Sequence, residues 1–344
     1  MPTKNLPPPG AAPIEIVVTR GQWVESRHAV ACAVVDAGGK TLAAWGDVTT
    51  PVYPRSSAKP IQALPLVESG AADAFGLSQA ELALACASHS GEPIHVEKVG
   101  AWLRRIGLAV DDLECGGHWP YHEASMQAMV SRGERPTALH NNCSGKHAGM
   151  LSTARHLGEP TRFYTRLDHP VQQRVIRAIS EMSGCDLGKF PTAVDGCSIP
   201  TVAIPLAALA LALARFGAPA GLAPARGAAC RRLAQAITAD PLMISGHQRF
   251  DSTLIQASGG RVLSKGGAEG VQVMVLPERG LGIALKAADG APRAREVAAA
   301  AVLVWLDAMD EATWTALQDF AEQPLFSRRG MPVGRVVPAT AAGF

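Results

Sequence analysis

The segment Pro54-Arg55-Ser56-Ser57-Ala58-Lys59-Pro60 places a hydroxyl and an amine three residues apart. On a helix that spacing puts Ser56 and Lys59 on one face. Pro60 suits a first helical turn, where the backbone N–H has no intrahelical partner. Ser56 is therefore expected at a helix N-terminus, near the positive end of the dipole. A serine there attacks when a base takes its proton. Lysine serves as that base only when burial or a second cation lowers its pKa. Alone, Ser-x-x-Lys is a common pattern, and Ser56 or Ser57 reads as an ordinary N-cap.

Other segments carry similar chemistry. Ser88-His89-Ser90-Gly91 follows the apolar run 82–87 and reads as a loop facing a pocket. Ser264-Lys265-Gly266-Gly267 puts Lys265 at the end of a late strand, with glycines that leave room for a substrate. This order resembles the Ser-x-x-Lys, Ser-Asp-Asn and Lys-Thr-Gly order of serine β-lactamases. Asn141-Asn142-Cys143-Ser144-Gly145-Lys146-His147 and Val194-Asp195-Gly196-Cys197 add two thiols. Cys143 and Cys197 suit zinc, with His147 or Asp195 completing a tetrahedral site, and spacing favours His147. The plainer alternative is two buried free cysteines.

The elements that must position these groups follow from pattern. Short β-branched segments at 14–20, 28–36 and 41–45 read as strands, as do 261–264, 271–276 and 281–287, with a hairpin turn at 277–280. Helical patterns cover 57–69, 78–86, 92–106, 121–132, 144–156, 168–183, 204–216, 227–237 and about 291–309. Ser78 and Glu81 form a capping box, and Asp168 is the expected cap of the 168–183 helix. The last twenty residues look mixed and partly looped. The fold class is therefore α/β: one antiparallel sheet from both chain ends, flanked by helices, with a helical subdomain at about 57–260. Residues 1–13, rich in Pro and Gly, are expected to be a disordered lead, and 14–344 one catalytic domain.

Bulk properties narrow the classes. The chain has 344 residues, 18% charged, with a formal net charge of +2, and no Lys/Arg run exceeds two, which argues against nucleic-acid or membrane-surface binding. Seven scattered cysteines do not make a disulfide framework. No signal-peptide pattern is seen, and the apolar stretch 199–216 contains Pro200 and Pro205, so it reads as a buried helix rather than a membrane span. A cytoplasmic setting is expected.

Taken in order, the segments at 56–60, 88–95, 141–151, 194–197, 245–251 and 265–271 resemble the Rhizobium etli-type (class 3) L-asparaginases, from about Pro13 to near the C-terminus. The resemblance implies a serine β-lactamase/glutaminase-like fold, a homodimer, and hydrolysis of L-asparagine to L-aspartate and ammonia. It implies two Ser-Lys pairs, Ser56 with Lys59 and Ser88 with Lys265. It also implies a Zn2+ site of Cys143, Lys146 and Cys197, with Lys146 where spacing favoured His147. For the substrate, Arg55 and Asp195 are candidates for the α-carboxylate and α-ammonium, and His89 and His147 for shaping the pocket. Rival readings are a penicillin-binding or β-lactamase-like hydrolase, a glutaminase, and a zinc or amino-acid sensor.

Overall fold

The structure, a computed structural model, describes residues 6–343 and divides into two compact units. Within the described residues, the first holds 6–57, 204–218 and 253–343, and the second 58–203 and 219–252. The expected helical part at about 57–260 overlaps the second unit, which lacks two stretches of it. The helix Leu206–Gly217 and the segment after residue 252 belong with the sheet.

The first unit is built on eight strands: β1 (Ile14–Arg20), β2 (Trp23–Asp36), β3 (Thr41–Trp45), β4 (Leu263–Gly266), β5 (Val271–Leu276), β6 (Leu281–Ala287), β7 (Gln323–Phe326) and β8 (Pro332–Pro338). They run β7-β8-β1-β2-β6-β5-β4, with β3 against β2, and every pairing is antiparallel. Both ends of the chain therefore build one sheet, as the pattern predicts. Register is long-range: Cys32 sits opposite Leu285, and Val17 opposite Val337. β5 is buried along its whole length and β6 nearly so. That explains their near-continuous apolar sequences, since Leu206–Gly217 and Pro292–Trp305 both pack on the sheet. Gly282 permits the first of these contacts, because a Cβ there would lie 2.0 Å from the Ala210 carbonyl oxygen.

Two expectations are revised at the chain ends. Residues 1–5 of the expected disordered lead lie outside the described residues, but 6–13 are bonded in place. The Trp45 indole donates to the Pro7 carbonyl at 2.9 Å, and Gly10 bridges Trp45 through backbone bonds to Ala44 and Gly46. A buried indole N–H needs an acceptor, and the lead supplies it. Near the C-terminus, a helix at Glu311–Ala321 and the strand β7 add to the expected elements, and β8 orders part of the last twenty residues, expected to be mixed and partly looped. The Asp310 side chain caps that helix by accepting from Thr313 N–H at 2.8 Å.

The second unit is mostly helical. Ser78 and Glu81 form the expected capping box at the helix Gln79–Ala85. The expected continuous helix at 57–69 is instead a 3-10 turn, Arg55–Ala58, then Lys59–Gln62 and Leu64–Glu68. Pro65 explains the break, since it lacks an N–H and its ring crowds the carbonyl four residues earlier. The helix Pro170–Ser183 is capped by His169, not Asp168: the imidazole Nδ1 accepts from Val171 N–H at 3.2 Å. It ends at left-handed Gly184, as expected. Among the described residues no helix is long and apolar enough to cross a membrane.

Candidate active site

In the helical unit the centre of the site is Lys59, at 0% exposure. It opens the short helix Lys59–Gln62, and Pro60 occupies the first turn. Its Nζ donates to the carbonyl of Ala87, to Ser88 Oγ at 2.9 Å and to the Asn142 carbonyl at 3.3 Å. Burial pulls the Lys59 pKa below its ordinary value, and the Lys146 charge nearby adds to this against the opposing pull of Cys143 and Cys197. This hydrogen bond crosses the two pairs expected from the sequence, joining the lysine of one to the serine of the other.

The second cluster stands beside it. Cys143 precedes the helix Ser144–His156, Lys146 lies in that helix's first turn, and Cys197 sits in the turn between the paired strands Thr192–Val194 and Pro200–Val202. Lys146 Nζ donates to Cys197 Sγ at 3.0 Å. The Cys143 thiol donates to Asn142 Oδ1 at 3.3 Å. Interaction with Cys143, together with the Lys146 ammonium, overcomes burial and holds Cys197 down at about 5, whereas Cys197 and burial push Cys143 up to about 12. Burial opposes the Lys146 charge, yet Cys143, Cys197 and Asp195 raise its pKa above the ordinary value. Among the described residues no group of three or more His, Cys, Asp or Glu could hold a metal. The third donor in this cluster is an amine. Cys143 and Cys197 bring thiol sulfurs of the kind zinc takes, and Lys146 could join them only as the free amine.

Local sequence explains why these groups converge. Asn141 Nδ2 donates to the carbonyls of Cys115 and Gly116, while its Oδ1 accepts from Cys143 N–H at 2.8 Å. Asn142 N–H donates to His118 Nε2 at 2.9 Å. These bonds fix the turn that presents Asn142 O to Lys59. Gly145 lets the helix approach Gln79–Ala85 closely, because a Cβ there would lie 2.3 Å from the Leu84 carbonyl oxygen.

The two candidate histidines differ in their bonding. His89 is fully buried; Nδ1 accepts from Gly91 N–H at 3.2 Å and Nε2 donates to Ser144 Oγ at 2.8 Å, whose hydroxyl passes on to Leu139 O. Both nitrogens serve the protein, and burial, with His95 beside it, keeps the ring neutral. His89 thus links loop and helix, and its part in shaping the pocket stays a proposal. His147 is bonded through Nδ1 to Tyr164 Oη at 2.7 Å, and its buried Nε2 has no hydrogen-bond partner among the described residues. Burial and the Lys146 charge push it down to about 3. Asp195 is partly buried, and its Oδ1 accepts from Gly196 N–H at 2.7 Å, shaping the turn that carries Cys197.

In the sheet unit, Ser57 is buried and its hydroxyl donates to Pro54 O at 2.6 Å, whereas Ser56 is only partly buried. Arg55 adopts a left-handed backbone, φ 51°, uncommon for a residue with a side chain. Lys265 lies buried on β4, and its Nζ donates to Gly266 O at 2.6 Å. Gly267 abuts the turn that carries Ser56. A Cβ on Gly267 would lie 2.9 Å from Pro54 O and 3.2 Å from Ser57 N. The sheet unit thus brings the end of the Lys265 strand against the Ser56 turn. Sequence reasoning missed Asn141, His118 and the carbonyls of Ala87 and Asn142. The Asn-Asn pair ahead of Cys143 was the one available signal, since a peptide carbonyl has none.

The sequence profile of the L-asparaginase II family matches residues 16–338. A search of curated proteins finds no match. Solved structures similar to this chain include Mglu in its native form, at 14% identity and TM-score 0.46, covering 82% of this chain and 62% of that one. They also include a β-lactamase from Mycobacterium bovis, at 14% identity and TM-score 0.39, covering 85% and 95%. A D-alanine carboxypeptidase from Burkholderia cenocepacia has 14% identity and TM-score 0.40, covering 81% and 93%. The chain spans less than two thirds of the length of the Mglu chain.

Proposed function

Because the chain belongs to the L-asparaginase II family, we propose that it hydrolyses the side-chain amide of L-asparagine to L-aspartate and ammonia through a Ser-Lys mechanism. The observation that carries this reading is Lys59, fully buried, with its amine 2.9 Å from Ser88 Oγ. Of the three oxygens it meets, two are carbonyls, which only accept. A neutral amine would give its two protons to those carbonyls and turn its lone pair to the Ser88 hydroxyl, the oxygen among them that can donate. Lys59 is thereby set to receive a serine proton.

In the proposed reaction a serine oxygen bonds to the amide carbon of asparagine while its proton passes to the Lys59 amine. The C–N bond then breaks, and the same proton leaves with ammonia. Water cleaves the resulting ester. By sequence order Ser56 is the nucleophile, with Ser88 and Lys265 relaying the proton. Arg55 and Asp195 remain our candidates for the α-carboxylate and α-ammonium, and His147, whose buried Nε2 has no hydrogen-bond partner among the described residues, and His89 for shaping the pocket. The Lys59–Ser88 bond favours a second reading in which Ser88 itself attacks.

Zinc in this reading is held by Cys143, Lys146 and Cys197. When bound it supplies Lewis-acid polarisation of a carbonyl or orientation of the substrate. Homodimerisation and a cytoplasmic location belong to the same proposal. The deciding assay is coupled ammonia detection with L-asparagine, L-glutamine and D-asparagine. Turnover of L-asparagine well above the other two supports the proposal. Preference for L-glutamine would make the protein a glutaminase, and release from neither amide would end the amidohydrolase reading.

A further inference from the structure

We infer that Glu92 is a positioning residue for the Ser-Lys site, tying the loop that carries Ser88 to the segment 242–247. The inference rests on the amidohydrolase reading above for its kinetic consequence, but not for its structural one.

Glu92 stands where an acidic residue commonly caps a helix, directly before Pro93–Arg105, yet its side chain makes no cap bond. The carboxylate is buried and turned elsewhere. Oε1 accepts from the Ser90 hydroxyl at 2.6 Å and from the His247 N–H at 2.9 Å, and Oε2 meets His247 Nδ1 at 2.5 Å. One carboxylate thus gathers donors from two segments far apart in sequence. Burial opposes its charge, but the Ser90 and His247 bonds outweigh that and hold the group at about 2.

Two further bonds run in parallel with this clamp. Ser88 N–H donates to Ile244 O at 2.9 Å, and His95 Nε2 donates to Leu242 O at 3.0 Å. Gly246 closes the gap between them, with φ +99°. A Cβ there would lie 2.1 Å from Ser90 Oγ and 2.2 Å from Glu92 Oε1. The backbone of Ser88 is therefore held by Ile244, and Ile244 is held two and three residues on by Gly246 and His247. Ser88 Oγ is the atom that Lys59 meets. A carboxylate suits this post because it accepts from several donors at once and presents no proton of its own to repel them.

The test compares Glu92→Ala, Glu92→Gln and His247→Ala by hydrogen–deuterium exchange and steady-state kinetics, with circular dichroism and melting as a folding control. Exchange of the peptide containing Ser88 is expected to rise in Glu92→Ala and to stay near wild type in Glu92→Gln, whose carboxamide still accepts from Ser90 and His247. With L-asparagine, Glu92→Ala should lower kcat about 10- to 100-fold with little change in KM, because small misplacements of reacting groups act on the chemical step. Rescue by Glu92→Gln to within about threefold marks hydrogen-bonded positioning rather than charge. Unchanged exchange at Ser88 in folded Glu92→Ala overturns the inference whatever the substrate proves to be, as does a kcat within about twofold of an active wild type. Should Glu92→Ala fail to fold, the partly exposed His247→Ala decides by the same two readouts. A wild type that releases ammonia from neither amide ends the functional reading alone, and the exchange result still decides the clamp.

Discussion

Lys59 Nζ lies 2.9 Å from Ser88 Oγ, although the two residues are 29 positions apart in the chain. The first opens a helix, and the second follows another helix, Gln79–Ala85. Lys59 is bonded to the carbonyl next to Ser88 as well. The contact therefore fixes both the backbone and the hydroxyl of this serine against one buried amine.

That relationship gives a pH signature. The Lys59 pKa is lowered by burial, so between its folded value and the ordinary lysine value the unfolded chain binds more protons. Stability then rises with pH across that window. The penalty is full below the folded pKa and vanishes above the unfolded one. Lys59→Met removes the titration, so the stability of the variant relative to wild type should fall as pH rises, read from denaturant melts in neutral and alkaline buffers. The same variant should lose about 10²- to 10⁴-fold in kcat, and wild-type kcat should decline as pH drops through the folded pKa of Lys59. A variant that keeps wild-type turnover would remove lysine from the mechanism.

The nucleophile is identified by which serine carries the acyl group. Quenched mixtures of wild type and L-asparagine should show a mass increase on the peptide containing Ser56, which Ser56→Ala abolishes. Ser88→Ala should slow its formation without moving it. Label found on Ser88 instead would assign the attack to the serine that Lys59 touches.

Metal binding should be acid-sensitive. In the proposed site Lys146 could ligate only as the free amine, and its pKa is raised by the two cysteines and Asp195 over the opposing effect of burial. Zinc uptake by equilibrium dialysis should fall from mildly alkaline to mildly acidic buffer. Cys197→Ser and Lys146→Ala should each lower the bound stoichiometry. Uptake that ignores both pH and these substitutions would place the metal elsewhere.

Gly145→Ala offers a purely steric test. A Cβ would lie 2.3 Å from the Leu84 carbonyl oxygen, and the backbone of either Ser144–His156 or Gln79–Ala85 would have to move. A loss of about 1–3 kcal/mol is expected, the usual range for overpacking, with reduced turnover because Asn142 and Lys146 flank the shifted residue. Wild-type melting and turnover in this variant would show that the two helices can part freely.

Much of this was legible because it lies in side-chain type and local period. The strands at 14–20, 41–45, 271–276 and 281–287 announce themselves by alternating or continuous apolar runs between turns, and Ser78 with Glu81 marks its helix start unaided. β8 was obscured because Pro332, Gly334 and Arg335 dilute its pattern, and its partner β1 is encoded at the other end of the chain. Residues 6–13 give no such signal for a related reason: what holds Pro7 is Trp45, not a pattern in the segment itself. At the site, thiols, serines and lysines carry names that sequence can read. The fate of each histidine does not, since His89 is consumed by Gly91 and Ser144 while His147 keeps one nitrogen unpartnered.

The pairing of β2 with β6 has a consequence for biosynthesis. Val30 waits for Ala287, a separation on the order of 250 residues, so the closing loop carries a large entropic cost until the helical segments have compacted it. On the ribosome β1, β2 and β3 emerge first and can pair only among themselves, with the edge of β2 that meets β6 still open. The helical unit, whose segments are contiguous but for one excursion, can consolidate in the meantime. The sheet then zips last, when β5 and β6 arrive, and its central strands are the slow, aggregation-exposed step of folding. A nascent chain stalled before residue 271 would hold a formed Lys59–Ser88 contact while its sheet still lacked the middle strands.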